Sequence, residues 1–112
     1  MRRVIVESPF AGNDDAETTA NVDYARACVA DCLRRGESAL ASHLLYTQPG
    51  VLRDGVPAER ELGIAAGLAW VSVADATVVY VDRGVSGGML RGIAAAEAAG
   101  IPVIRRSLGG AQ

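Results

Sequence analysis

Apolar and polar positions alternate along this chain in blocks that predict strand and helix in turn. Val4-Ile5-Val6 is a short β-branched run that predicts a first strand, and Ser8 to Asp15 follows as a loop rich in turn-forming residues. From Asn21, read as an N-cap, Ala25, Cys28, Val29, Cys32 and Leu33 recur at helical spacing. Arg26, Asp31, Arg34 and Arg35 take the other side and Gly36 the stop, which predicts a helix over 21–35. Ser38 to Ser42 is a weaker strand. A Pro/Gly-rich stretch then runs to Pro57, long enough for a functional loop. Pro57 and the acidic turn Glu59-Arg60-Glu61 start a second helix that extends to Ala74. From Gly63 to Ala74 it is apolar or small all round apart from Ser72. Such a helix is fully buried or covered by another subunit, and in a domain this small the second is expected: a homo-oligomer joined through helix 58–74. Ala76 to Val81 is the clearest strand, a continuous run suited to burial on both faces of a parallel sheet. Asp82 to Gly88 is a loop, Met89 to Ala99 a third helix stopped by Gly100, and Pro102-Val103-Ile104 a last strand.

The β-α-β-α-β-α-β order implies an α/β fold with right-handed crossovers and a four-stranded parallel sheet of order 2-1-3-4. In such sheets ligands lie outside the carboxyl ends of the strands. That rim collects Ser8 to Gly12, Ser42-His43, Glu59-Arg60-Glu61 and Asp82 to Gly88, which are also the polar and glycine-rich parts of the chain.

Composition narrows the chemistry. The 112 residues fit one domain, expected over 1–106, with 107–112 as a flexible tail. A formal net charge of −2 argues against a nucleic-acid polymer held on a basic face, though not against a single nucleotide. All 11 basic residues are Arg, so a lysine Schiff base is excluded. Cys28 and Cys32 stand i, i+4, which is neither a CxxC redox motif nor a zinc set, and they are read as buried thiols in a reducing cytoplasm. No signal peptide, no membrane span, no metal and no cofactor are expected.

Each rim motif has two readings. Ser86-Gly87-Gly88-Met89 leaves the first amides of a helix unshielded, which makes an anion site for a phosphate or carboxylate, or else a tight turn that needs glycine for its dihedrals. Ser8, Phe10 and Gly12 could hold a sugar hydroxyl and stack a base, or form an ordinary exit turn. His43, the single histidine, is a site residue or a hydrogen-bonded structural one. Glu59 and Glu61 are the best placed carboxylates for acid, base or nucleophilic work, or complement the helix dipole. Arg60 and Arg91 could neutralise a phosphate, or be solvated or ion-paired. Trp70 reads as packing.

Together the pieces Val4 to Gly12 (VIVESPFAG), Asn21-x-x-x-Ala25-Arg26, Ala41-Ser42-His43-Leu44, Glu59 to Gly63, and Gly84 to Met89 continuing to Gly100-Ile101-Pro102-Val103 resemble the nucleoside 2-deoxyribosyltransferase-like superfamily, in a phage- and bacteria-associated branch. The resemblance implies a Rossmann-like or flavodoxin-like three-layer sandwich, usually oligomeric. It implies a nucleoside or nucleotide ligand and chemistry at the N-glycosidic bond. On this reading Ser8, Phe10, Gly12, His43, Arg60, Asp82, Ser86, Gly87, Gly88 and Met89 form the ligand site, with Glu61 and Glu59 as candidate catalytic carboxylates. The superfamily's nucleophilic Glu, eight residues before the glycine of the G-x-P-V segment, aligns with Gly92, and its assisting Asp aligns with Gly67. Glycine cannot stabilise or trap an oxocarbenium-like centre. Glu97 lies about 140° further around the helix and does not substitute. Fold and ligand class therefore transfer better than activity, and a catalytically inactive nucleotide sensor or an oligomeric structural subunit are the alternatives.

Overall fold

The computed structural model describes residues 1–109. Four parallel strands, β1 (Arg2–Glu7), β2 (Glu37–Leu40), β3 (Ala76–Tyr80) and β4 (Val103–Arg106), form one sheet in the order β2-β1-β3-β4, as the element order predicts. Between them run α1 (Asp15–Arg34), the single turn α2 (Ser42–Leu45), α3 (Pro57–Leu68), a 3-10 turn at Val71–Val73, and α4 (Gly87–Ala99).

Period-two alternation divides the core. Val4, Val6, Val78 and Tyr80 pack on one face against Cys28 and Cys32 of α1. On the other face Ile5 packs with Val71 and Ala96, and Val79 with Met89 and Ile93 of α4. Every residue of β3 is buried, the environment its β-branched run calls for. Glu7, two residues beyond Ile5 and in register with Val79, therefore continues the row that faces α4.

Several element boundaries differ from the sequence expectation. The first helix begins at Asp15, because Asp14 supplies the cap by accepting from the Glu17 amide. Asn21 is a buried residue within it: its Nδ2 donates to the Phe10 carbonyl at 3.0 Å and its Oδ1 accepts from Arg83 Nε at 2.8 Å, tying the loops after β1 and β3 together. Ser42 starts a helical turn instead of ending a strand. The expected helix 58–74 stops at Leu68, and the 3-10 turn follows. In this single chain Leu62 and Trp70 are not core residues but are exposed, at 59% and 47%, and the Trp70 indole donates to Tyr46 Oη. β4 runs two residues further than expected, to Arg106, whose guanidinium forms a buried bidentate pair with Glu37 at 2.8 and 3.0 Å across the α1 face of the sheet. Of the expected tail, residues 110–112 lie outside the described residues, while Ser107, Leu108 and Gly109 are hydrogen-bonded to the Asp82 carboxylate.

Candidate functional site

A cavity of about 420 Å³ opens at the carboxyl edge of the sheet. That is a volume in the range of small-molecule sites. Its walls come from the loop after β1, from α2 and the segment that follows it, from α3, and from the first turns of α4. Of the sequence candidates, Ser8, Phe10, His43, Glu59, Arg60, Ser86, Gly87, Gly88 and Met89 line it.

Three candidates do other work. The Gly12 amide donates to Thr18 Oγ1 at 2.9 Å, and a Cβ at Gly12 would stand 2.6 Å from the Glu17 side chain; its lack of a side chain serves close packing on α1. Asp82 turns toward α1 and the chain end, accepting from Tyr24 Oη at 2.5 Å, from Ser107 Oγ and from the amides of Leu108 and Gly109. Burial pushes its carboxyl up, but the hydrogen bonds from Ser107, Tyr24 and the two amides outweigh that and hold it well below the usual carboxylate range. Glu61 is not a cavity-lining residue; it makes a two-point exposed ion pair with Arg91, 3.2 Å at each point, and the Arg91 hydrogen bonds hold its carboxyl low. Glu59 lines the cavity but accepts from the Arg53 backbone amide, Nε and Nη2, the last at 2.7 Å.

His43 and Ser8 meet directly, with Ser8 Oγ 2.7 Å from Nε2. Burial pushes the imidazole down to about 4, so it is neutral near pH 7. The Phe10 ring stands edge-on to it, 6.5 Å between centroids. Ser86 caps α4 by accepting from the Met89 amide at 3.3 Å, and Gly87 has no heavy atom within 4 Å of where its Cβ would be. The helix start therefore presents open backbone to the cavity, with Arg91 one turn further along the same wall.

The residue that the sequence reading missed is Glu7. Its side chain lines the cavity, and burial raises its carboxyl from 4.5 to about 8. Among the described residues no hydrogen-bond donor and no cation meets it. It occupies the space that a side chain at Gly92 would need: a Cβ there would fall 2.2 Å from Glu7 Oε2 and 2.4 Å from Cδ. The second glycine shows the same relation, since a Cβ at Gly67 would fall 2.5 Å from Ser42 Oγ. A signal was available in the sequence. Glu7 continues the Ile5 row of β1, and Gly92 interrupts the sheet-facing stripe Met89, Ile93, Ala96 of α4.

Among the described residues, no three His, Cys, Asp or Glu side chains gather as a metal-binding group, and no helix is long and apolar enough to cross a membrane. Cys28 and Cys32 are free, buried thiols.

The fold has a solved counterpart. The 2-deoxyribosyltransferase from the psychrotolerant bacterium Bacillus psychrosaccharolyticus superposes with a TM-score of 0.65 and 22% identity, over 98% of this chain and 75% of that one. At that identity the likeness establishes the α/β architecture. No curated protein sequence matches the chain. The family model described as a domain of unknown function, DUF7768, matches residues 2–106, a span that takes in all four strands and every wall of the cavity, and the chain belongs to that family.

Proposed function

We propose that this protein binds a nucleoside or nucleotide in the cavity at the carboxyl edge of its sheet and cleaves, or transfers at, the N-glycosidic bond. The observation that carries the reading is the pairing, in one cavity, of a half-buried carboxyl without a partner among the described residues and the open amide end of α4. A carboxyl held in that condition costs stability, and such groups cluster where chemistry is done. The α4 amides and Arg91 suit a 5′-phosphate, Ser8 a sugar hydroxyl, and the Phe10 and Tyr46 rings the face of a base. The structural neighbour's name, a 2-deoxyribosyltransferase serving nucleoside synthesis, supports the same ligand class.

The test is titration calorimetry with the four 2′-deoxynucleoside 5′-monophosphates and their nucleosides, alongside chromatographic detection of free base. Binding of at least one monophosphate, tighter than its nucleoside, with release of its base is expected. Absence of both heat and base release for all eight at millimolar concentration would overturn the reading.

A further inference from the structure

We propose that Glu7 is the catalytic proton donor of this site, delivered from the end of β1 through the gap that Gly92 leaves in the sheet-facing stripe of α4. The inference rests on the reading above and adds the group that does the chemistry.

The geometry has three parts. First, strand alternation sets the direction: Glu7 follows Ile5 on the face covered by α4, and its register with Val79 fixes its height at the strand ends. Second, room for the carboxyl exists because residue 92 has no side chain, as even a methyl carbon there would overlap Oε2 and Cδ. Third, the carboxyl faces the cavity with nothing among the described residues to hold it as an anion. A carboxyl largely withdrawn from water without a cation or donor is pushed toward its neutral form, and a neutral carboxyl in a cavity has a proton to give.

The other charged and titratable groups around the cavity do not duplicate it. His43 on α2 is neutral and bonded to Ser8; Glu59 on α3 is held ionised by Arg53; Arg60 on α3 lies 3.9 Å from Asp54; Arg91 on α4 is paired with Glu61.

The step balances with water as the only co-reactant. The C1′–N bond breaks with its electron pair on the base nitrogen, and that nitrogen takes the proton from Glu7. Water adds its oxygen to C1′ and returns a proton to the Glu7 carboxylate. The products are free base and sugar, and Glu7 is again protonated.

Base release from the four 2′-deoxynucleoside 5′-monophosphates is followed for the full chain, for Glu7→Gln and for Gly92→Ala, with circular dichroism to verify folding. For Glu7→Gln a kcat loss of about 100-fold or more is expected with KM within about threefold, the range of general-acid contributions. Wild-type kcat is expected to fall as pH rises through about 8. Gly92→Ala, which keeps Glu7 but displaces its carboxyl, is expected to lower kcat as well. Base release undiminished in Glu7→Gln or in Gly92→Ala, or a kcat that rises through the same pH range, overturns the assignment while leaving the proposed function standing. Absence of base release by the wild type overturns the assignment of Glu7, and the proposed function falls with it only where calorimetry also shows no heat and no base is released with any of the eight ligands.

Discussion

Replacing Glu7 with Gln should stabilise the protein, and by an amount that grows with pH. The folded-state carboxyl is raised from 4.5 to about 8 by burial, so between those values the native state holds a proton that the unfolded chain has released. Fewer protons bound when unfolded means that stability falls as pH rises through this window. The loss attributable to Glu7 is close to zero near pH 4, about 3 kcal/mol at pH 7 and about 5 kcal/mol above pH 9. Gln carries no titratable proton and removes that dependence. Any fixed difference between the two side chains drops out when values at different pH are compared. Against a domain stability of roughly 5–15 kcal/mol the effect is large. Urea unfolding of wild type and Glu7→Gln, followed by far-ultraviolet circular dichroism from pH 4 to 9, measures it. Stability profiles that run parallel across the range would rule out a raised Glu7 carboxyl, because they would mean that Glu7 ionises as freely in the folded protein as in the unfolded one.

The histidine of the cavity acts with the opposite sign. His43 is pushed down to about 4, so the unfolded chain binds the extra proton and stability is lost as pH falls below about 6.5; His43→Asn should flatten that acid limb, by about 3 kcal/mol at pH 4. Gly92→Ala should cost about 1–3 kcal/mol by overpacking against Glu7, yet be neutral or stabilising by about 1 kcal/mol in a Glu7→Ala background, a coupling that a double-mutant cycle reads directly. Glu37→Gln leaves the Arg106 guanidinium buried without its counter-charge, with the two side chains 8% and 11% exposed, and should cost about 3–5 kcal/mol in denaturant unfolding. Association of copies through α3 and the following turn, where Leu62, Trp70 and Val73 are exposed, should appear in light scattering as a mass above one chain and be lost in Leu62→Glu/Trp70→Glu.

The sheet was legible from the residues alone. The β-branched run at Ala76–Val81, the alternation of strand and helix signals and the placement of glycines and polar turns were enough for strand order and for the edge where the cavity opens, because these are local patterns with few topological solutions. They also brought Ser8, His43 and Ser86 to one rim. Packing alone settles which carboxyl of the cavity is left without a partner among the described residues. Glu59 and Glu61 look poised at a helix start, but long exposed side chains take the nearest guanidinium, Arg53 in one case and Arg91 in the other. Asp82 is drawn away by Tyr24 and the segment after β4. Glu7 and Gly92 are 85 positions apart, and their fit is a matter of volume between a strand end and a helix face. Periodicity shows which way each points; whether a side chain's absence on one element makes room for a carboxyl on another is settled only when the two are packed together.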